Sequence, residues 1–391
     1  MRKTMIAAAA LTLLAGAAHA QGTVKVGVIL PYSGQFADTA TQIDNGIKLY
    51  MKQHGAAVGG KTIEIIRKDV GGIAPDVAKR LAQELVVRDK VDILAGFVLT
   101  PNALAACSVS EEAKKMMVIM NAATSIITTK SPYCVRTSLT LPMVTESLGT
   151  WAAKNGVKKA YTLVSDYGPG HDSEGGFHRA FKAAGGEISG AVRMPVANPD
   201  FSAFVQRAKD LNPESIFVFV PAGAQPASFG KALAERGLNP SVLKVMGTGE
   251  LTDDSAIKQM GDAAVGIITA WHYDHNHDSK LNKEFVAAFK KESGGVNPNF
   301  LAVGGYDGMH LIYETLKKAA GATDGEALTA AAKGMKWESP RGPISIDPET
   351  RDIVQTIYIR RVEKVNGELI NVEFDKLENV KDPVKAAMKI N

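Results

Sequence analysis

Short runs rich in β-branched residues alternate with longer amphipathic stretches along most of this chain. TVKVGVILP at 23–31 has the composition of a strand and stops at a proline. In the stretch after it Ile43, Ile47 and Tyr50 recur at helical spacing, and HGAAVGG ends the pattern. KTIEIIRKD at 61–69 reads as the next strand. PDVAKRLAQELVVRDK at 75–90 predicts an amphipathic helix with proline in its first turn, where the missing N–H costs nothing. VDILAGF at 91–97, a helix through 110–115 and MMVIMNAA at 116–123 continue the alternation.

The pattern starts again after about Leu141. KKAYTLVSD at 158–166 is strand-like, and a Gly-rich turn and a helix to Ala184 follow it. EISGAVRMP, the helix DFSAFVQRAKDLNP, SIFVFVP, a helix over 225–236 and LKVMGTG come in the same order. Short apolar strands separated by helices indicate parallel βαβ units. The expected fold class is therefore α/β, with two doubly wound lobes, each a parallel sheet covered by helices. No Pro- or Ser-rich linker divides the halves, which predicts several short crossings between lobes rather than one tether.

The N-terminus adds a location. Arg2 and Lys3 precede the apolar run IAAAALTLLAG, and Ala18 and Ala20 stand where a signal peptidase reads small residues. The run is too short to span a bilayer. The expectation is a signal peptide over residues 1–20, cleaved after Ala20, and a periplasmic or secreted product without a lipid anchor. Cleavage removes 20 of 391 residues and two cations, which takes the net charge from +4 to +2. About 370 residues exceed what one core organises. A charge so near zero gives no reason to expect nucleic acid as a partner. In an oxidising compartment the two cysteines, Cys107 and Cys134, are expected to pair. The bridge closes a loop of about 27 residues, worth roughly 3–4 kcal/mol in the chain-entropy account.

In open α/β sheets ligands bind beyond the carboxyl ends of the strands, so the residues that follow each strand are the candidates. PYSGQFADT supplies Phe36, and Phe97 ends the run VDILAGF. VLTPN supplies Thr100, and AATS supplies Ala122, Ala123 and Thr124. In the second half DYGPG supplies Tyr167, PAGAQ supplies Ala222 and Gly223, and GTGELTDD supplies Glu250. Hydroxyls and free amides at helix starts suit a carboxylate, and Phe and Tyr suit an apolar body. Any one of these is also an ordinary turn or cap residue; their joint position at strand ends points to a site.

Enzyme signatures are missing: there is no G-x-S-x-G elbow, no P-loop, and no G-x-G-x-x-G opening a helix after the first strand. WHYDHNHD brings His272, His275 and His277 close to Asp274 and Asp278, but the spacing is not that of structural zinc. A solvated crossing loop is expected there, with no metal and no cofactor.

Taken together, VKVGVILPYSGQFA, NAATS, DYGPG, DFSAFVQRAKDLNPESIFVFV, GTGELTDD and GGYDGMHLIYETLKKA resemble the periplasmic solute-binding proteins of branched-chain amino-acid (Leu/Ile/Val-type) ABC importers. With SPRGPISI and the HY after 266–271, the chain looks like a subgroup that includes receptors for aromatic carboxylates. The resemblance implies the type I periplasmic binding fold: two lobes joined by three crossings, 21–141 plus 273–345 and 142–272 plus 346–391. It implies a monomer that closes on a small carboxylate-bearing solute, an amino acid or an aromatic acid, and hands it to a membrane permease. A sensor with the same clamp is the alternative. By the same likeness Thr100, Ala122, Ala123 and Thr124 hold the carboxylate, and Tyr167 closes over from the second lobe. Phe36 and Phe97 wall the apolar side, and Tyr273 caps it from the hinge. Glu250 is the nearest match to the family's acidic residue for an ammonium.

Overall fold

The computed structural model of the protein describes residues 22–240 and 242–388. The expected signal peptide and its cleavage site lie outside these residues. The first sheet contains β1 (Thr23–Leu30), β2 (Ala57–Val58), β3 (Lys61–Asp69), β4 (Ile93–Gly96), β5 (Met116–Ile119) and β6 (Cys134–Arg136), in the order β2-β3-β1-β4-β5-β6. Only the β2–β3 pair is antiparallel. Helices α1 (Ala37–His54), α2 (Pro75–Val87) and α3 (Thr100–Ala113) make its crossovers.

The second sheet holds β7 (Lys159–Ser165), β8 (Glu187–Met194), β9 (Ser215–Phe219), β10 (Lys244–Thr248) and β11 (Ile268–Trp271) as parallel neighbours, in the order β11-β10-β9-β7-β8. Its crossovers are α4 (Leu141–Lys154, which enters the unit), α5 (Gly168–Ala183), α6 (Phe201–Leu211), α7 (Gln225–Glu235) and α8 (Asp254–Met260). The chain then returns to the first sheet with α9 (Lys280–Glu292), α10 (Phe300–Lys318) and α11 (Gly325–Ala332), which pack on α1, β5 and β6. Antiparallel strands β12 (Lys336–Ser339), β13 (Gly342–Ile346), β14 (Ile353–Val365) and β15 (Glu368–Val380) extend the second sheet from β11. The short helix α12 (Pro383–Met388) follows.

The central strands β1, β4, β5, β7, β9, β10 and β11 are buried on both faces, which is why they read as near-continuous apolar runs, whereas β3 and β8 alternate with exposed positions. In β1 Val24, Val26, Val28 and Leu30 face the core shared with α1 and α10, while Ile29 faces the core under α2 and α3. In β9 Phe217 and Phe219 face α4 and α5, and Ile216 and Val218 face α6 and α7.

The first core depends on a close approach. The backbones of α1 and α10 meet at Gly46 and Gly305, where an added Cβ would overlap the carbonyl oxygens of Ala302 and Ile43. Alanine is the better helix former by about 1 kcal/mol, but the overlap outweighs that gain. Gly46→Ala should lower the unfolding free energy by about 1–3 kcal/mol, read as a lower urea midpoint at unchanged m-value.

Candidate functional site

Strand order reverses between β1 and β4 in the first sheet and between β7 and β9 in the second. Such switch points leave a crevice beyond the strands' carboxyl ends. Here both crevices open onto one cavity. Its walls come from the segments after β1 (Phe36, Thr39), β4 (Val98, Leu99, Thr100) and β5 (Asn121, Ala123), and from those after β7 (Tyr167, Pro169), β9 (Pro221, Ala222) and β10 (Glu250). Leu141 and the last residue of β9, Phe219, complete it. The free space is about 420 Å³, open solvent at the mouth included.

One end of the cavity carries hydrogen-bond donors. Thr100 opens α3; Pro101 beside it has no N–H and the Ala103 amide donates to the Leu99 carbonyl, so the Thr100 and Asn102 amides are the first-turn donors without a carbonyl partner within the helix. The Thr100 and Thr124 hydroxyl oxygens are 3.0 Å apart, so one donates to the other and a donor remains for a ligand. Thr124 sits just behind the wall formed by Ala123. Ala122 is different: its amide donates to the Phe97 carbonyl at 2.9 Å and its side chain is buried, so it supports the loop without facing the cavity. Behind the loop, the Arg136 guanidinium donates to the Thr124 carbonyl at 2.8 Å.

The other sheet brings its own helix start to the same place. A Cβ on Gly168, the first residue of α5, would stand 3.5 Å from Thr124 Oγ1. The Ser125 amide donates to Asp172 of α5 at 3.1 Å. Gly223 lies against the Gln35 carbonyl rather than in the wall, where a Cβ would be 3.3 Å from that oxygen. Its φ of +107° also favours glycine. Tyr167 is half-buried, with its ring 6.2 Å from that of Phe219 at 29°. Burial, and then the Glu250 charge, push its phenol up.

Glu250 is the one carboxyl group in the cavity wall. It is 8 % exposed, and its Oε2 has no partner among the described residues. Burial pushes its pKa up from 4.5 to about 7, against the lowering effect of a hydrogen bond with Thr248. Arg360 reaches the loop that carries it through Nη2, which donates to the Gly249 carbonyl and the Thr252 hydroxyl at 3.4 Å, and it also donates to Thr269, the Tyr273 carbonyl and Asp274.

Beyond Ala122, Thr124 and Gly223, two further expected site residues are not in the cavity wall. Phe97 follows Gly96 in left-handed backbone, φ +64° after +104°. That turn sends its ring into the core with Leu81, Ala103 and Cys107. Tyr273 is buried behind the wall, where its hydroxyl donates to Asn282. The expected solvated loop at 272–278 is likewise corrected. His272, Tyr273 and Asp274 are buried, and burial with the Arg341 and Arg360 charges holds His272 well below the usual imidazole range. His277 pairs with Glu373 at 2.8 Å. The sulfurs of Cys107 in α3 and Cys134 in β6 lie 3.1 Å apart, both buried and not bonded to one another.

Thr39, Val98, Leu99, Asn121, Pro169, Phe219 and Pro221 were not among the expected site residues. Phe219 and Asn121 carried a readable signal, since each stands at the carboxyl end of a strand-like run.

Two doubly wound units that face one another with their switch points define a class of ligand-capture proteins, and the comparisons agree. The periplasmic binding protein family matches residues 23–367, and the chain belongs to it. The Leu/Ile/Val-binding protein homolog 6 of Brucella melitensis biotype 1 is 44% identical over 387 residues, 98% of this chain and 99% of that protein. The crystal structure of an ABC-transporter solute-binding protein from Rhodopseudomonas palustris BisB5 in complex with 3,4-dihydroxybenzoic acid is 58% identical. It superposes with a TM-score of 0.90 over 93% of this chain and 99% of that one. A solute-binding protein from R. palustris HaA2 in complex with p-hydroxybenzoic acid is 43% identical, with a TM-score of 0.90 over 93% and 100%. The fold is thus the type I periplasmic binding fold.

Glu250 makes a pH signature. Between pH 4.5 and about 7 the folded protein holds a proton there that the unfolded chain has lost. Its stability therefore falls as pH rises through that window. In ligand-free protein Glu250→Gln should raise stability at pH 7.5 by on the order of 3 kcal/mol. Thermal melts should show that advantage shrinking toward pH 4.5.

Proposed function

We propose that this protein is the solute receptor of an ABC importer, which captures a hydroxylated aromatic carboxylate in the periplasm and presents it to a membrane permease. One observation carries the reading. The cavity pairs a hydroxyl-and-amide end at Thr100, backed by the Thr124 hydroxyl, with a single buried carboxyl group, Glu250, and aromatic and proline surfaces, Phe36, Tyr167, Phe219, Pro169 and Pro221, help form its walls. A ligand with a carboxylate and a ring hydroxyl satisfies both polar groups and covers the apolar walls. The two relatives of known structure described above carry such ligands. The remaining expected site residues act indirectly in this reading. Ala122 and Gly223 shape the loops, and Phe97 and Tyr273 pack behind them.

Capture requires two lobes that open and close. We take them as 21–141 plus 273–345 and 142–272 plus 346–391, moving about three crossings. The contacts of Gly168 with Thr124 and of Asp172 with Ser125 then belong to the closed form. The receptor acts as a monomer, without catalysis, nucleic acid or cofactor. Export by a signal peptide over residues 1–20 accounts for a Cys107–Cys134 disulfide, which braces the helix that begins at Thr100. Thiol titration of denatured, unreduced protein should find no free thiol; two would remove the bridge.

A second reading has its own support. An ionised Glu250 also pairs with an ammonium, and the Brucella relative is named for leucine, isoleucine and valine. Thermal shift against 4-hydroxybenzoate, 3,4-dihydroxybenzoate, benzoate and leucine separates the two. The hydroxybenzoates at a hundredfold excess over Kd should add about 2.7 kcal/mol of stability. A shift with leucine alone would favour the amino acid, and no shift with any would sink the receptor reading. Thr100→Ala should weaken hydroxybenzoate binding by about 1–3 kcal/mol, measured by calorimetry.

A further inference from the structure

Lys385 stands in a six-residue helix near the end of the described chain, yet it is only 4 % exposed. A helix this short has no stability of its own, and a buried ammonium is costly unless it is paired. Its partners are Asp352 and the Thr128 hydroxyl, with Asp382 at 3.7 Å. Asp352, 1 % exposed, is shared: its other oxygen lies 3.1 Å from Nε of Arg136, which is wholly buried. That contact is an ion pair without a hydrogen bond; the hydrogen bonds of Arg136 go to the chain, Nη1 to the Leu139 carbonyl at 3.0 Å and Nη2 to the Thr124 carbonyl at 2.8 Å. The Thr124 hydroxyl in turn meets that of Thr100, which stands in the cavity wall.

This chain of contacts has a competitive logic. A guanidinium beside a lone carboxylate turns to meet both oxygens in a bidentate pair. Lys385 holds one oxygen of Asp352, so Arg136 keeps a one-sided pair and its Nη2 stays on Thr124. Without Lys385 the fork would swing toward Asp352, and the Thr124 carbonyl would lose its donor.

We propose that Lys385 is a positioning residue for the solute site, which acts through Asp352 and Arg136 to fix the Thr100–Thr124 hydroxyl pair that receives the ligand's carboxylate. The part that concerns the ligand rests on the carboxylate reading above; the positioning of the loop does not.

The test uses the full chain and Lys385→Met, which keeps the apolar stem and removes the charge, with Lys385→Arg as the conservative control. Two measurements are made. Amide hydrogen exchange of ligand-free protein should show residues 123–125 exchanging about tenfold faster in the Met variant, as one lost charge-assisted hydrogen bond allows, with the α6–α7 region unchanged. Calorimetry should show the preference for 4-hydroxybenzoate over 4-hydroxybenzamide falling about tenfold in the Met variant and largely kept in the Arg variant. A merely structural role would weaken acid and amide alike and leave their ratio in place. That unchanged ratio, or wild-type exchange at 123–125 in a folded Met variant, overturns the proposal. If wild-type protein binds neither probe, the solute reading fails, and exchange alone still decides whether Lys385 positions the loop. Should the Met variant not fold, Thr128→Val removes one Lys385 partner outside the cavity. It should move both readings in the same direction by about threefold, and no movement overturns the proposal.

Discussion

A guanidinium taken out of water must find an acceptor for each of its donors, or it costs several kcal/mol. Among the described residues three arginines are buried under that constraint, Arg136, Arg341 and Arg360. Each meets it in large part by reaching the carbonyls of loops around the cavity or the crossings, Thr124 and Leu139, Thr137 and Ser138, and Tyr273, while Nε of Arg136 and of Arg341 is left without a hydrogen bond among the described residues. Strand-end loops have few ladder hydrogen bonds to fix them. In this fold the arginines supply the missing rigidity from below, and each is balanced by a buried aspartate, Asp352, Asp307 or Asp274. The site therefore has a charged, fully desolvated underside and an almost uncharged wall, in which Glu250 is the exception.

Parallel sheets explain why the two halves meet as they do. A parallel strand is followed by a helix that starts at the strand's carboxyl edge, so every crossover places free N–H groups on the same side of the sheet. Two such sheets turned edge to edge bring two sets of helix starts together, at Thr100 and Gly168. The cavity lies between them, so both helix starts face one space.

Much of this was legible in the residues. The βαβ periodicity gave both sheets, because strands buried on both faces leave an unbroken apolar signal. Strand-end reasoning put Phe36, Thr100, Ala123, Tyr167, Ala222 and Glu250 at the cavity, since topology alone brings those positions together. Phe97 escaped it because a left-handed backbone at one residue inverts the side chain's direction, and no composition rule announces that for phenylalanine. Tyr273 and the histidines beside it read as a polar loop. They are buried because the antiparallel strands β14 and β15, far along the chain, pack over them. The buried arginines had a weaker signal: a lone cation within a strand-like run, as in CVR and IYIRR.

The docking of α10 on α1 has a consequence for how the chain is made. The two helices are more than two hundred residues apart in sequence, and their contact is backbone on backbone, with no slack for a substitute. The first sheet's inner face thus stays uncovered until α10 has been synthesised, whereas the parallel part of the second sheet is complete by β11. Closing so long a loop is slow. A nascent chain of this design remains unfinished for most of its synthesis. That delay leaves time for a polypeptide that must thread a membrane before it folds.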